Sequence, residues 1–385
     1  MKVYNSEVIK TMLKCWSAGG VIPNKRFKYS FKIYSIILNL NLIVLVPLAL
    51  IIEIFTQKSF LRSSMEVSAM AFSCKHLTIF FSKKNVYDVI EIIEKLDERI
   101  QNDERLIIKG ATRLTKQIFF IWSGIDFMTV FIFIAARVYQ GNYLIISQWF
   151  PFHLGVSQNA WIAFVYQIIT VLFMCLLTVL LDSFPVISLT LLSAHIEALE
   201  VRIRKIGKNS IEANAAYDQL VACIEDHLNL LRVVVGRTLT VQYCFTAFCL
   251  CLDAMYIVFN ATTLFEKISH FMIMMSLILK IFPSCYCMNR VIEIHARLPR
   301  VIFDCNWIDQ NLKFRKTLII FMQHSQQDLL MNMAIVKPIN LSTFVEIIQF
   351  SFSLYTILKM NELVKLNKLN NGEKTIRKIL ETRFA

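Results

Sequence analysis

The sequence predicts an all-α polytopic membrane protein. It has seven transmembrane helices, a cytoplasmic N-terminus and a helical anchor region on the cytoplasmic side. Three observations predict it. Hydrophobic residues make up 56% of the chain and charged residues 18%, against about 25% charged in a soluble domain. Seven apolar stretches run over residues 33–55, 64–82, 117–138, 159–181, 240–264, 269–289 and 339–359. Each is close to the roughly 20 residues that a helix needs to cross the hydrocarbon core of a bilayer. Finally, Lys and Arg gather in alternate connections, as the positive-inside bias requires.

The basic connections are the N-terminal arm and those after the second, fourth and sixth stretches. The segment 140–160 has neither Lys nor Arg. The N-terminus is therefore expected inside and, after seven crossings, the C-terminus outside. The net charge of +13 follows from this bias. Its basic residues are dispersed among loops, so no nucleic-acid partner is expected. The sequon at Asn260 lies at the outer end of the fifth stretch, where glycosylation is possible. The sequon at Asn340 would face the cytoplasm and stay unused. The first 32 residues lack the short apolar core of a cleavable signal peptide. The basic tail 361–385 falls outside on this topology, against the charge rule.

In chain order the sequence divides into a cytoplasmic arm (1–32), a six-helix membrane bundle with cytoplasmic extensions (33–289), an anchor segment (290–338), a last span (339–360) and the tail (361–385). Apolar residues recur near the helical period over 86–106. Ile196, Leu199, Val201, Ile203 and Ile206 carry the fourth span past the membrane. The segment 217–234 is expected to lead as one helix into the fifth span. Another amphipathic helix is expected over 314–331. The apolar faces of these segments need covering, which predicts a packed cytoplasmic bundle.

Several chemistries are excluded by what is missing. Ten Cys include no paired C-x-x-C motif, seven His include no H-E-x-x-H, and nine Gly form no phosphate-binding loop. No enzyme activity, metal or cofactor is expected. Ionisable residues inside spans are costly and should be paired or functional. By depth on consecutive antiparallel spans, two intramembrane ion pairs are expected, Lys75–Asp126 and Lys280–Asp253. Glu346 in the last span has no obvious partner by this reasoning.

The C-terminal third is specific. It holds Cys285, then Phe303 with Trp307 four residues on, then the basic Lys313, Arg315 and Lys316. Met322, Ser325 and Gln326 form M-x-x-S-Q, and Ser342, Thr343 and Phe344 open the last span. Ser353, Thr356 and Leu358 close it as S-x-x-T-x-L. With W-F-P-F at 149–152 and C-I-E-D-H at 223–227, this order resembles the insect odorant receptor family. Asp328 stands where the family often has Pro, and the tail is longer than usual. The chain lacks the large insertion of the co-receptor (Orco), so it resembles an odour-tuning subunit.

The resemblance implies a heterotetrameric, ligand-gated, non-selective cation channel with Orco, in the plasma membrane of the olfactory sensory neuron dendrite. It implies a pore lined by the last span, with Ile357 at the gate, Leu354 and Leu358 beside it and Met360 near the mouth. An apolar ring of this kind closes a pore by dewetting. It also implies that a small neutral volatile odorant binds among the outer halves of spans two to six. Candidates are Ala69, Phe72 and Ser73 on span two, and Phe127, Val130, Phe131 and Ile134 on span three. Tyr166, Ile169, Thr170 and Phe173 follow on span four, and Cys251, Met255 and Tyr256 on span five. The alternative is a gustatory-receptor-type cation channel forming homomers, although the T-Y…Q-F ending of that group is missing. A G-protein-coupled receptor would carry D-R-Y and N-P-x-x-Y and the opposite charge bias. A transporter with repeated halves or Gly/Pro-broken spans finds no support.

Overall fold

A computed structural model of the chain describes residues 6–21, 28–57, 64–81, 83–139, 141, 144–152, 157–207, 213–231, 236–259, 263–327, 341–357 and 359–360. Among them there is no strand. Helix α1 (Ser6–Ala18) lies in the arm, where no element was expected. Ile9, Met12 and Trp16 share one face and are buried, and the Trp16 ring sits 5.1 Å from that of Phe184. This short amphipathic period was hidden among the arm's basic residues.

Helix α2 (Lys28–Leu40), a π-helical segment Asn41–Leu45 and helix α3 (Val46–Gln57) make the first apolar rod. Helix α4 (Ser64–Phe81) is the second. Helix α5 (Lys83–Glu98) stops short of the expected residue 106. The chain turns there, and Glu104, just before the next helix, accepts the Gln101 backbone N–H at 3.1 Å. Helices α6 (Arg105–Tyr139), α7 (Ser157–Ile203), α8 (Ala213–Leu231), α9 (Gly236–Phe259), α10 (Leu264–Phe303) and α11 (Leu312–Ser325) follow. The last, α12, is Leu341–Ile357. The expected continuity from 217–234 into the fifth span would run through 232–235, outside the described residues.

In its described residues, each of the seven apolar stretches is mainly helical. Among the described residues, four helices are long and apolar enough to cross a membrane: Tyr29–Glu53, Arg105–Tyr139, Gln158–Ile203 and Lys267–Phe303. The apolar parts of α9 and α12, Tyr243–Phe259 and Leu341–Ile357, are shorter. At 1.5 Å per residue, the 47 residues of α7 extend about 70 Å and the 40 of α10 about 60 Å. That is about twice the hydrocarbon thickness. The surplus lengths gather with α5, α8 and α11 into a second bundle, called here the charged end.

Helix α7 is the hub, packed on α6 and α10. Every residue from 181 to 196 is buried, which requires a helix apolar nearly all round. Its hydroxyls turn back on their own helix, as where Thr190 Oγ1 donates to the Val186 carbonyl at 2.7 Å. The outer faces are apolar and exposed, with Phe120, Ile121 and Met128 on α6 and Trp161, Ile162 and Val165 on α7. Surfaces of this kind belong against lipid.

Electrostatics close the charged end. The Arg202 guanidinium grips both oxygens of Glu104, at 2.9 and 2.7 Å, and reaches Asp226 at 2.5 Å. Arg99 donates to the other Asp226 oxygen at 2.8 Å. Burying a carboxylate is affordable only with such complete pairing. Below it, the His227 ring stacks on His295 with centroids 5.4 Å apart, while Phe321 and His324 meet it edge-on. Burial, then the neighbouring imidazoles of His295 and His324, push the His227 pKa down from 6.5 to about 3. Burial pushes the Cys223 thiol up to about 12.

Candidate functional site

A cavity of about 160 Å³ lies between α4, α6, α7, α9 and α10. Its walls are apolar: Phe72 from α4, Val130 from α6, Val171 and Met174 from α7, Phe245 from α9, and Ile273 and Leu277 from α10. Each helix contributes one stripe. On α10 the lining residues Ile273, Ser276, Leu277 and Lys280 stand at the i, i+3, i+4 and i+7 positions of one face. The loop residue Ile146 also lines it. Gln167 holds that loop, accepting the N–H of Ile145 at 2.7 Å and donating to the Ile146 carbonyl at 2.7 Å.

Lys75, Asp126 and Lys280 bring charge to this apolar space. Lys280 Nζ lies 2.9 Å from Asp126 Oδ1 and 3.4 Å from Asp182 Oδ2. Lys75 Nζ lies 3.2 Å from Asp182 Oδ1. The expected pairs Lys75–Asp126 and Lys280–Asp253 are therefore corrected. Asp182 was missed because it sits one residue beyond the fourth apolar stretch, at the point where α7 simply continues. Asp253 is instead 3.0 Å from His270 Nδ1, and the Tyr256 ring packs over that imidazole at 4.0 Å. Two positive and two negative side chains thus neutralise one another around Lys280.

Of the residues expected at a binding site, Ala69, Phe72 and Val130 line this cavity. Phe127, Phe131 and Ile169 do not; they are 41%, 67% and 52% exposed on the outer surface. The reason is helical register. Lining residues of α6 are Asp126, Thr129 and Val130, and a shift of one position turns a side chain by about 100°. On α7 the lining stripe is Val171, Met174, Cys175 and Thr178, one residue on from the expected Thr170 and Phe173. Thr170 is buried and Phe173 half-buried, but neither is among the lining residues. Ser73 donates to the Leu42 carbonyl at 2.8 Å and ties α4 to the first rod. Ile134 packs against the core and Cys251 and Met255 are buried, and none of the three lines the cavity. No α10 residue had been expected as lining except through the charge of Lys280. The alternation of Ile273, Ser276 and Leu277 with polar Lys280 is the signal that could have found that wall.

Tyr166 lines a second, wholly different space of about 380 Å³ between α3, the segment 148–152 and α7. Its hydroxyl donates to Asn41 Oδ1 at 2.5 Å. Helix α12 docks through Ile347, through Ser351 Oγ, which donates to the Ala247 carbonyl at 3.1 Å, and through Phe344 on Phe282. Its opposite face is open: Ile357 and Met360 are 58% and 59% exposed, and Leu354 is half-buried. Leu358, Asn260 and the tail 361–385 lie outside the described residues. Among the described residues, no group of three His, Cys, Asp or Glu is placed to hold a metal ion.

Fold and cavity together define a helical membrane protein with a small, largely apolar site among the helices of its bundle. The comparisons agree. Residues 58–352 match the model of the 7tm odorant receptor family. Odorant receptor 42a of Drosophila melanogaster is 28% identical over 382 residues, covering 93% of this chain and 92% of that protein. The solved structure of the insect olfactory receptor OR5 from Machilis hrabei superposes with a TM-score of 0.76 at 14% identity, over 92% of this chain and 97% of that one. The same receptor in complex with eugenol gives 0.70. This chain belongs to the odorant receptor family.

Proposed function

We propose that this chain is the odorant-binding subunit of a heteromeric, ligand-gated, non-selective cation channel. It assembles with the olfactory co-receptor as a tetramer in the plasma membrane of the sensory neuron dendrite. Its N-terminus and charged end face the cytoplasm. The observation that carries the reading is the 160 Å³ cavity, set among five helices and walled largely by apolar side chains. A site of that kind takes a small neutral hydrophobic molecule, and a related receptor has been solved with eugenol bound.

Helix α12 supplies the pore in this reading. It uses one face to dock on α9 and α10 and leaves Ile357 and Met360 uncovered. Four such faces around an axis make an apolar ring at Ile357, flanked by Leu354 and Leu358, that wets only on opening. Ligand opens it to the extent that it binds the open state better than the closed one. The test is whole-cell current in cells expressing this chain with and without the co-receptor, under block of G-protein signalling. A fast cation current that needs both chains is expected. Ligand-gated current from this chain alone would replace the reading with a self-assembling, gustatory-type channel.

A further inference from the structure

We infer that the ligand of this cavity carries a hydroxyl group: a small alcohol or phenol, bound by the Asp126 carboxylate. The inference rests on the cavity being the odorant site. Asp126 is 6% exposed and lines the cavity. Its Oδ1 is fully engaged, by Lys280 Nζ at 2.9 Å and by Ser276 Oγ, which donates at 3.1 Å. Its Oδ2 has no hydrogen-bond partner among the described residues. A buried carboxylate oxygen without a donor is costly, so the site asks its occupant for an O–H or N–H.

Charge decides between those donors. Lys75 and Lys280 are balanced by Asp126 and Asp182. An ammonium or a carboxylate ligand would add a net charge at membrane depth, which is disfavoured. Ethers, esters and ketones are neutral but offer no donor. A hydroxyl is neutral and offers both a donor and an acceptor. Its oxygen can also accept from Lys75, which lines the same cavity and spends one of its three N–H groups on Asp182 Oδ1 at 3.2 Å. The remaining walls, Phe72, Val130 and Leu277, suit an apolar body. A volume of about 160 Å³ is close to that of an apolar cavity that takes benzene, so the body is of about that bulk.

The experiment compares matched pairs on the channel formed with the co-receptor: benzyl alcohol against benzyl methyl ether, phenol against anisole, 1-hexanol against methyl pentyl ether. Hexyl acetate and hexylamine complete the series. The alcohol of at least one pair should be more potent than its ether by tenfold or more. Asp126→Asn should bring that ratio close to one, with surface labelling to confirm delivery. Should that variant not reach the surface, the potency series on the unaltered chain decides alone. Ethers, the ester or the amine matching or exceeding the alcohols would overturn the inference and leave the channel reading intact. Silence to the whole series, where other volatiles open the channel, would also overturn it. A chain that answers no volatile although it reaches the surface with the co-receptor would sink the channel reading itself.

Discussion

Two charge clusters in this molecule are built to opposite ends. At the charged end, Arg99 and Arg202 face Glu104 and Asp226, and each of the four carboxylate oxygens accepts a guanidinium hydrogen bond. In the membrane bundle, Lys75 and Lys280 face Asp126 and Asp182, and Asp126 Oδ2 is left without a hydrogen-bond partner among the described residues. The first uses Arg, whose planar fork binds two acceptors at once. The second uses Lys, a point charge that leaves donors and acceptors over. A saturated cluster clamps helices together. An unsaturated one beside a cavity is a place for something to bind.

The comparison breaks most easily at Arg202. Arg202→Leu leaves Glu104 and Asp226 buried without their shared partner, at a cost of about 3–5 kcal/mol. Surface expression of the complex should collapse, and the melting temperature of the solubilised protein should drop sharply. An unchanged melting curve would show that the clamp carries no stability. Next comes Lys280→Asp, which should lose surface expression that the joint swap Lys280→Asp with Asp126→Lys partly restores. The swap of Lys75 with Asp126 should restore nothing, because those two residues are not a pair. Its rescue would overturn the pairing described here.

Acid sharpens the contrast at an intermediate scale. His227 is buried beside two other imidazoles and has a pKa lowered from 6.5 to about 3. The unfolded state therefore binds the proton first as the pH falls below 6.5. Stability is complete above that value and declines through the window down to about 3, by on the order of 1 kcal/mol per pH unit. Hydrogen exchange should show α8 and α11 loosening between pH 6.5 and 5, and His227→Phe should remove that dependence. A smaller effect is expected at Gly207, whose φ is +76° and whose added Cβ would come 2.6 Å from the Asn306 carbonyl. Gly207→Ala should cost about 1–2 kcal/mol in thermal melting. Smallest of all, Lys95→Ala removes an exposed pair with Glu91 and should leave the melting temperature unchanged.

Much of this was legible in the residues. Long apolar runs and a low charge content were enough for a helical membrane bundle, because the backbone in lipid has few other options. The order from Cys285 to Leu358 was enough for the family. Which side chains meet was not legible. Lys75 and Asp126 share a depth but not an interface, and depth is all that a linear run of residues reports. Asp182 belongs to α7 beyond its apolar stretch, so a span-by-span search passed over it.

Alone, then, the sequence determined the class of the molecule, its long apolar helices and the segment that carries the family signature. These follow from local properties: hydropathy summed over about 20 residues, and helical period. Only the tertiary structure decided the rotation of each helix about its axis. That rotation puts Asp126 and Val130 in the cavity and turns Phe127 and Phe131 outward. Successive residues differ by about 100° on a helix, and apolar side chains suit both core and lipid, so hydropathy cannot tell the two faces of a membrane helix apart.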